Sequence, residues 1–210
     1  MQLYFAPLAC SMATRIALYE TGANAQYIER DRQKRLPDGS DFTAINPLGM
    51  VPTLRTDEGE LITENAAILQ YVAATFPQAA LAPTSGIERT RLHQWLSFIA
   101  TELHKALYLP LLSKVAPAEV KSYAANLADA RFAIVEEHLG GREFLLDTFS
   151  IADAYLFTVL NWTSATPLKL DANPAIQAYV ARLATRPSIA KALGEELAMY
   201  KAEIAKQKAA

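Results

Sequence analysis

Apolar positions change their period partway along the chain. Up to about residue 80, short strand-like runs trade places with stretches of helical spacing, and beyond it only the helical period remains. Gln2 to Phe5 reads as a strand. Ser11 to Thr21 reads as a helix, with Ala13, Ile16, Ala17 and Glu20 at helical spacing and Gly22 as its stop. Gln26 to Arg30 is a second strand, and Leu36-Pro37-Asp38-Gly39 has turn chemistry. Val51 to Thr56 and Glu60 to Thr63 flank Asp57-Glu58-Gly59, which suits a tight hairpin, and a helix over Ala66 to Thr75 closes the unit. The predicted order is β-α-β-α-β-β-α, with a parallel first pair and a hairpin last pair. It matches a thioredoxin-like layer of sheet between helices.

From Ile87 onward, proline and glycine punctuate a series of helices. They run to Leu109, from about Ala118 to Leu139, over Ser150 to Trp162, over Pro174 to Thr185 and over Ser188 to Lys206. The expected fold class is therefore α/β plus all-α. A thioredoxin-like N-terminal domain covers residues 1–77, a linker covers 78–86, and a C-terminal helical bundle covers 87–210. Ile151 to Trp162 is apolar nearly all round and is expected to be the central buried helix. Ser150 followed three residues later by Asp153 reads as a capping box, which assigns Asp153 to folding rather than chemistry. In the helix to Leu109, Trp95, Ile99, Leu103 and Ala106 share the side that faces the bundle. His93, Ser97, Thr101, His104 and Tyr108 fall opposite, as the wall of a cleft or as a solvated face.

Composition narrows the function classes. Hydrophobic residues make up 51% of the chain, which excludes a disordered protein. A net charge of -2 without a dense basic stripe leaves no electrostatic footprint for nucleic acid. Polar residues such as Gln70 and Asn161 interrupt the apolar stretches before the roughly 20 residues a bilayer requires, so no membrane partner is expected. Met1-Gln2-Leu3-Tyr4-Phe5 lacks the basic start and apolar core of a signal peptide, and a cytoplasmic protein is the expectation. Three scattered histidines and one cysteine lack metal-ligand spacing, so no metal is expected.

The chemistry centres on Cys10, placed where the first strand turns through Ala6-Pro7-Leu8-Ala9 into the first helix. Ser11 suits the N-cap, which puts the sulfur at the positive end of the helix, where a thiolate is favoured. A buried structural cysteine is the alternative. In Asn46-Pro47-Leu48-Gly49-Met50-Val51-Pro52, a cis bond before Pro52 aims the Val51 amide and carbonyl outward as an edge for an extended peptide; a plain strand-entry proline is the other reading. Glu64-Asn65, ahead of the helix at Ala66, outlines an amino-acid clamp: helix amides for a carboxylate and Glu64 for an ammonium, or else two capping residues. His104 and its neighbour Lys105 are placed to favour a nearby thiolate, or have surface roles.

Cys10-Ser11, the run Ala44 to Leu54, Leu61-Ile62-Thr63-Glu64 and the run Ser150 to Phe157 together resemble a bacterial glutathione S-transferase over nearly the whole chain. Cys10 combined with the run Trp95 to Lys105 is similar to the beta class of that family. The resemblance implies that the backbone of Val51 pairs with the cysteinyl part of glutathione beside a cis Pro52. It implies that Glu64 and Asn65 hold the γ-glutamyl end, that Lys34 and Lys105 meet the glycyl carboxylate, and that Cys10 and His104 lie close to the sulfur. Ser97 stands where the family pattern has asparagine, Asn65 where a smaller residue is common, and Met50 where a polar one is usual. The implied activity is conjugation of the glutathione thiolate to a small hydrophobic electrophile. Cys10, Ser11 and His104 are then the activating groups, with Tyr4 ranked below Ser11 as an activator. Tyr108, Leu109, Leu112 and Trp162 line the apolar pocket. Glutathione is the co-substrate and a homodimer is expected. Two rivals stand beside this reading: a glutathione-dependent thiol-disulfide reductase or peroxidase using Cys10, and a non-catalytic carrier of hydrophobic ligands with the same fold.

Overall fold

The computed structural model describes residues 1–209, with side chains to residue 206. It gathers them into two units: residues 1–80 with the stretch from Arg186 onward, and Leu81–Thr185. In the first unit the strands β1 (Gln2–Phe5), β2 (Gln26–Glu29), β3 (Thr53–Arg55) and β4 (Leu61–Thr63) form one sheet in the order β2-β1-β3-β4. β1 runs parallel to β2 and antiparallel to β3, and β3 and β4 form the expected hairpin. Its turn is closed by the Thr56 N–H donating to Glu60 O at 2.9 Å, with Gly59 at φ 93, a conformation that favours glycine. Leu3 pairs with both Tyr27 and Leu54, so β1 is interior and Leu3, Tyr4 and Phe5 are buried.

The helix expected between β2 and β3 is a single 3₁₀ turn, Phe42–Ala44. Pro37, Gly39, Pro47 and Gly49 interrupt that stretch too often for a longer helix, and the fully buried Phe42, tilted against Tyr4 at 5.5 Å, anchors the turn. α1 (Ser11–Thr21) and α2 (Asn65–Thr75) pack on each other.

In the second unit α3 (Gly86–Phe98) continues as a π-helical stretch, Ile99–Tyr108, into the short α4 (Leu109–Leu112). The π winding turns two of the five residues of the expected polar row inward. Bonds from residue i to i+5, such as Leu109 N–H to His104 O, retard the helical phase. His93, Ser97 and Thr101 remain exposed, while His104 and Tyr108 rotate into the interior with Leu103 and Leu107. The expected helix over 118–139 breaks at Leu127 into α5 (Ala118–Asn126) and α6 (Ala128–Leu139). α7 (Ile151–Asn161) is buried from Ile151 to Leu160 and packs on α3, the π stretch and α8 (Pro174–Ala184), as the apolar pattern predicts for a central helix. Its capping box is present: Ser150 Oγ accepts from the Ala152 N–H at 3.3 Å, and Asp153 Oδ2 accepts from the Ser150 N–H at 2.9 Å.

α9 (Pro187–Ala209) leaves the helical unit and packs on α1 in the first, so the expected bundle over 87–210 gives up its last helix. Charge accounts for this. Arg15 of α1 is buried between the rings of Phe5 (4.2 Å) and Tyr27 (4.4 Å) and ion-pairs with Glu195 (3.6 Å) and Glu196 (3.5 Å) of α9. Arg186 forks onto Glu20 at 2.7 and 2.6 Å, which ties the start of α9 to the end of α1. Among the described residues no helix is long and apolar enough to cross a membrane, and no group of three or more His, Cys, Asp or Glu could hold a metal ion.

Candidate functional site

β1 exits into the turn Ala6–Ala9, which the Ala9 N–H closes onto Ala6 O at 3.1 Å with Leu8 in the left-handed region at φ 60. Cys10, not Ser11, holds the N-cap position of α1. The Ser11 hydroxyl is fully buried and bonded to both the N–H and the carbonyl of Ala6 at 3.3 Å, so it secures the turn. Cys10 is 8% accessible, and its thiol donates from Sγ to Val51 O at 3.1 Å. The Val51–Pro52 peptide is cis. Its approach is fixed by Asn46, whose Nδ2 donates to Met50 O at 2.9 Å and to Thr53 Oγ1 at 3.1 Å. Tyr4 is buried within β1, its hydroxyl 3.4 Å from Gln2 Oε1.

Glu64 precedes α2 at φ 66 and ψ 118, an unusual backbone for a residue with a Cβ, costing roughly 1–2 kcal/mol. Its carbonyl accepts from the Ala67 and Ile68 N–H groups, while its carboxylate is exposed and makes no capping bond. Asn65, expected with Glu64 to hold the γ-glutamyl end or to cap the helix, has a buried side chain. Its Oδ1 accepts from Thr14 Oγ1 at 2.9 Å and its Nδ2 donates to Cys10 O at 3.1 Å, so it ties α2 to α1 beneath the cysteine. Lys34, at φ 61, lies across Gly49 and donates from Nζ to Leu48 O at 3.3 Å. A Cβ at Gly49 would come within 2.7 Å of the Lys34 side chain, so the glycine leaves room for the lysine arm.

Arg30 is a residue that sequence reasoning missed. Burial lowers its pKa, and its guanidinium interacts electrostatically with Cys10. The signal for it was present in the parallel pairing, since Phe5 opposite Glu29 sets the residue after β2 beside the exit of β1. The Arg30 N–H donates to Phe5 O at 2.8 Å.

In the helical unit the expected residues group around His104. Its Nδ1 is 2.7 Å from the Tyr155 hydroxyl, and its ring stands edge-on to Trp162 at 5.0 Å. Burial, reinforced by the neighbouring Lys105 charge, pushes the imidazole pKa down to about 4. His104 is therefore neutral near pH 7 and offers a hydrogen bond rather than a charge. Tyr108 is fully buried, with its hydroxyl 2.6 Å from Thr163 Oγ1 and its ring edge-on to Trp162 at 5.9 Å; it backs the tryptophan instead of lining open space. Leu109 and Leu112 are 42% and 37% exposed, Trp162 is half-buried, and Ser97 and Lys105 are exposed.

Comparison with known proteins gives one consistent result. Residues 1–74 match the model of the glutathione S-transferase N-terminal domain, and residues 98–187 that of the C-terminal domain. The chain is 41% identical over 199 residues to glutathione S-transferase GstA of Escherichia coli O157:H7, covering 93% of this chain and 98% of that one. It resembles the solved bacterial beta class glutathione S-transferase of Sphingomonas chungbukensis, with a TM-score of 0.89, 40% identity and coverage of 93% and 98%. A sphingomonad glutathione S-transferase complexed with glutathione is similar at TM-score 0.88 and 39% identity, again over 93% and 98% of the chains.

Proposed function

This chain belongs to the glutathione S-transferase family, and we propose that it joins the thiolate of glutathione to a small hydrophobic electrophile, with Cys10 beside the reacting sulfur. As a member of that family it is a transferase with glutathione as co-substrate. The observation that carries the proposal is the 3.1 Å contact between Cys10 Sγ and the Val51 carbonyl. Val51 lies next to the cis Pro52, where an extended peptide pairs backbone to backbone and brings its own cysteine to that point.

In this reading the exposed Glu64 carboxylate takes the ammonium of the γ-glutamyl group, and the amides opening α2 take its carboxylate. The Asn65 side chain serves from behind, through Cys10 O. Lys34 and Lys105 meet the glycyl carboxylate, with Ser97 as a further polar contact. Cys10 and the N-terminal end of α1 stabilise the glutathione thiolate, aided by the nearby charge of Arg30. His104, neutral near pH 7 and hydrogen-bonded through Nδ1 to the Tyr155 hydroxyl, contributes a further hydrogen bond to the thiolate in this reading. The thiolate attacks the electrophilic carbon, and the electron pair leaves with the displaced group. Leu109, Leu112 and Trp162 offer apolar surface to the second substrate, with Tyr108 as backing. The protein acts as a cytoplasmic homodimer.

A second reading follows from the same thiol. The Cys10 thiolate attacks the glutathione sulfur of a mixed-disulfide substrate, whose other sulfur leaves as a thiolate. A second glutathione thiolate then resolves the Cys10-glutathione disulfide, releasing glutathione disulfide and the Cys10 thiolate. Conjugation of glutathione to an aryl halide, measured alongside glutathione-dependent disulfide reduction in wild type and Cys10→Ala, separates the two. Conjugation in the wild type supports the proposal, and its persistence in Cys10→Ala assigns activation to His104, Arg30 and the helix terminus. Reduction alone, lost with Cys10, establishes the redox reading. Absence of both activities overturns each in favour of a carrier.

A further inference from the structure

Glu196 of α9 is wholly buried, and the conjugation chemistry makes no use of it. Removing a carboxylate from water costs several kcal/mol unless its partners compensate. One of its partners is the Cys10 turn: the Leu8 N–H donates to Glu196 Oε2 at 2.7 Å across 188 residues of sequence. Leu8 is in the left-handed region at φ 60, which a leucine adopts only when its surroundings enforce it. Arg15 Nε lies 3.5 Å from the other oxygen, Glu196 Oε1, and is itself held between Phe5 and Tyr27. Burial pushes the Glu196 carboxyl up to about 7 against the pull of Arg15, so packing alone gives little reason to keep an acid there.

From this geometry we infer that Glu196 is a positioning residue: by accepting from the Leu8 N–H it holds the turn Ala6–Ala9 in the one backbone path that delivers Cys10 Sγ to the Val51 carbonyl. The C-terminal helix thus sets the placement of a thiol at the opposite end of the chain. The acceptor at its exact reach matters here more than the charge. Glutamine keeps the acceptor without the charge, aspartate keeps the charge but withdraws it by one methylene, and leucine keeps neither.

The inference rests on Cys10 serving the site, and its test is independent of turnover. Cys10 is the only cysteine, so alkylation by iodoacetamide reports on it alone. Alkylation rate against pH is to be measured for wild type, Glu196→Gln, Glu196→Asp and Glu196→Leu, with Tm and the kcat and KM of glutathione conjugation alongside. Glu196→Gln should keep its limiting alkylation rate and kcat within about twofold of wild type. Glu196→Asp and Glu196→Leu should raise the limiting alkylation rate at least fivefold, as the turn relaxes and the thiol becomes accessible, and lower kcat severalfold. If Glu196→Leu fails to fold, the contrast of Gln with Asp decides. An alkylation profile in Glu196→Asp that matches wild type while only Tm falls would make Glu196 merely structural and overturn the inference. Altered alkylation in a protein whose wild type shows no conjugation leaves this inference standing and removes the transferase reading alone.

Discussion

His104 and Glu196 are both buried ionisable residues, and their stability contributions run in opposite directions with pH. The folded imidazole has its pKa pushed down to about 4, so the unfolded chain binds more protons between that value and 6.5. The contribution of His104 is full above pH 6.5 and is lost as pH falls toward 4, about 3 kcal/mol over the window. Glu196 has its pKa pushed up to about 7, so the folded chain binds more protons above 4.5. Its contribution is full below that value and lost as pH rises through 7. In wild type the two slopes oppose each other between about pH 4.5 and 6.5. His104→Gln removes one of them, and Tm should then decline more steeply from pH 5 to pH 7.5 than in wild type; parallel Tm profiles would refute the assignment. At this scale Cys10 and Glu64 were legible from their places at helix starts. Asn65 was misread because its partners, Thr14 and Cys10 O, come from α1, about fifty residues away, and no local pattern records them. Glu196 escaped for the same reason, since the Leu8 N–H it accepts from lies 188 residues away.

Among the elements, α7 is the most fully specified by sequence. Asp153 accepts from the Leu145 N–H, the Ser150 N–H and hydroxyl and the Tyr179 hydroxyl, at 2.8–2.9 Å, while completely buried. Asp153→Ala leaves those buried donors unmet and should cost about 3 kcal/mol or more, a fall of roughly 10 °C in Tm on thermal unfolding. A loss in kcat at temperatures where the variant is fully folded would instead give Asp153 a part in the chemistry. The capping box and apolar run of α7 were readable because both are local. The π-helical stretch was not: Ile99 to Tyr108 carries ordinary helical residues, and the phase change that turns His104 inward arises in a wider winding that the 3.6-residue reading does not contain. The 3₁₀ turn at Phe42 marks the converse case, where proline and glycine spacing argued against a helix that the overall strand order seemed to demand.

For the whole molecule, two units and a thioredoxin-like sheet followed from where the hydrophobic period changes. The return of α9 to the first unit did not, because the pairing of Arg15 with Glu195 and Glu196 is tertiary. α1 is buried from Ser11 to Leu18 on all sides, more than the single apolar face of an amphipathic helix, and α9 supplies part of that cover. A chain ended at Thr185 should therefore lose cooperative unfolding and near-ultraviolet circular dichroism while keeping much of its helical signal, the signature of an unpacked first unit. A sharp thermal transition in that truncated chain would show that α9 is dispensable to the fold. The division of the first unit between the two ends of the chain also orders events during synthesis. Leu81–Thr185 is complete when it leaves the ribosome, whereas Arg15 meets Glu195 and Glu196 only after α9 has been translated. The cysteine turn is thus synthesised well before α9, and the Leu8 N–H gains its Glu196 acceptor only once α9 has docked; on the inference drawn above, the thiol is placed at that step and not earlier.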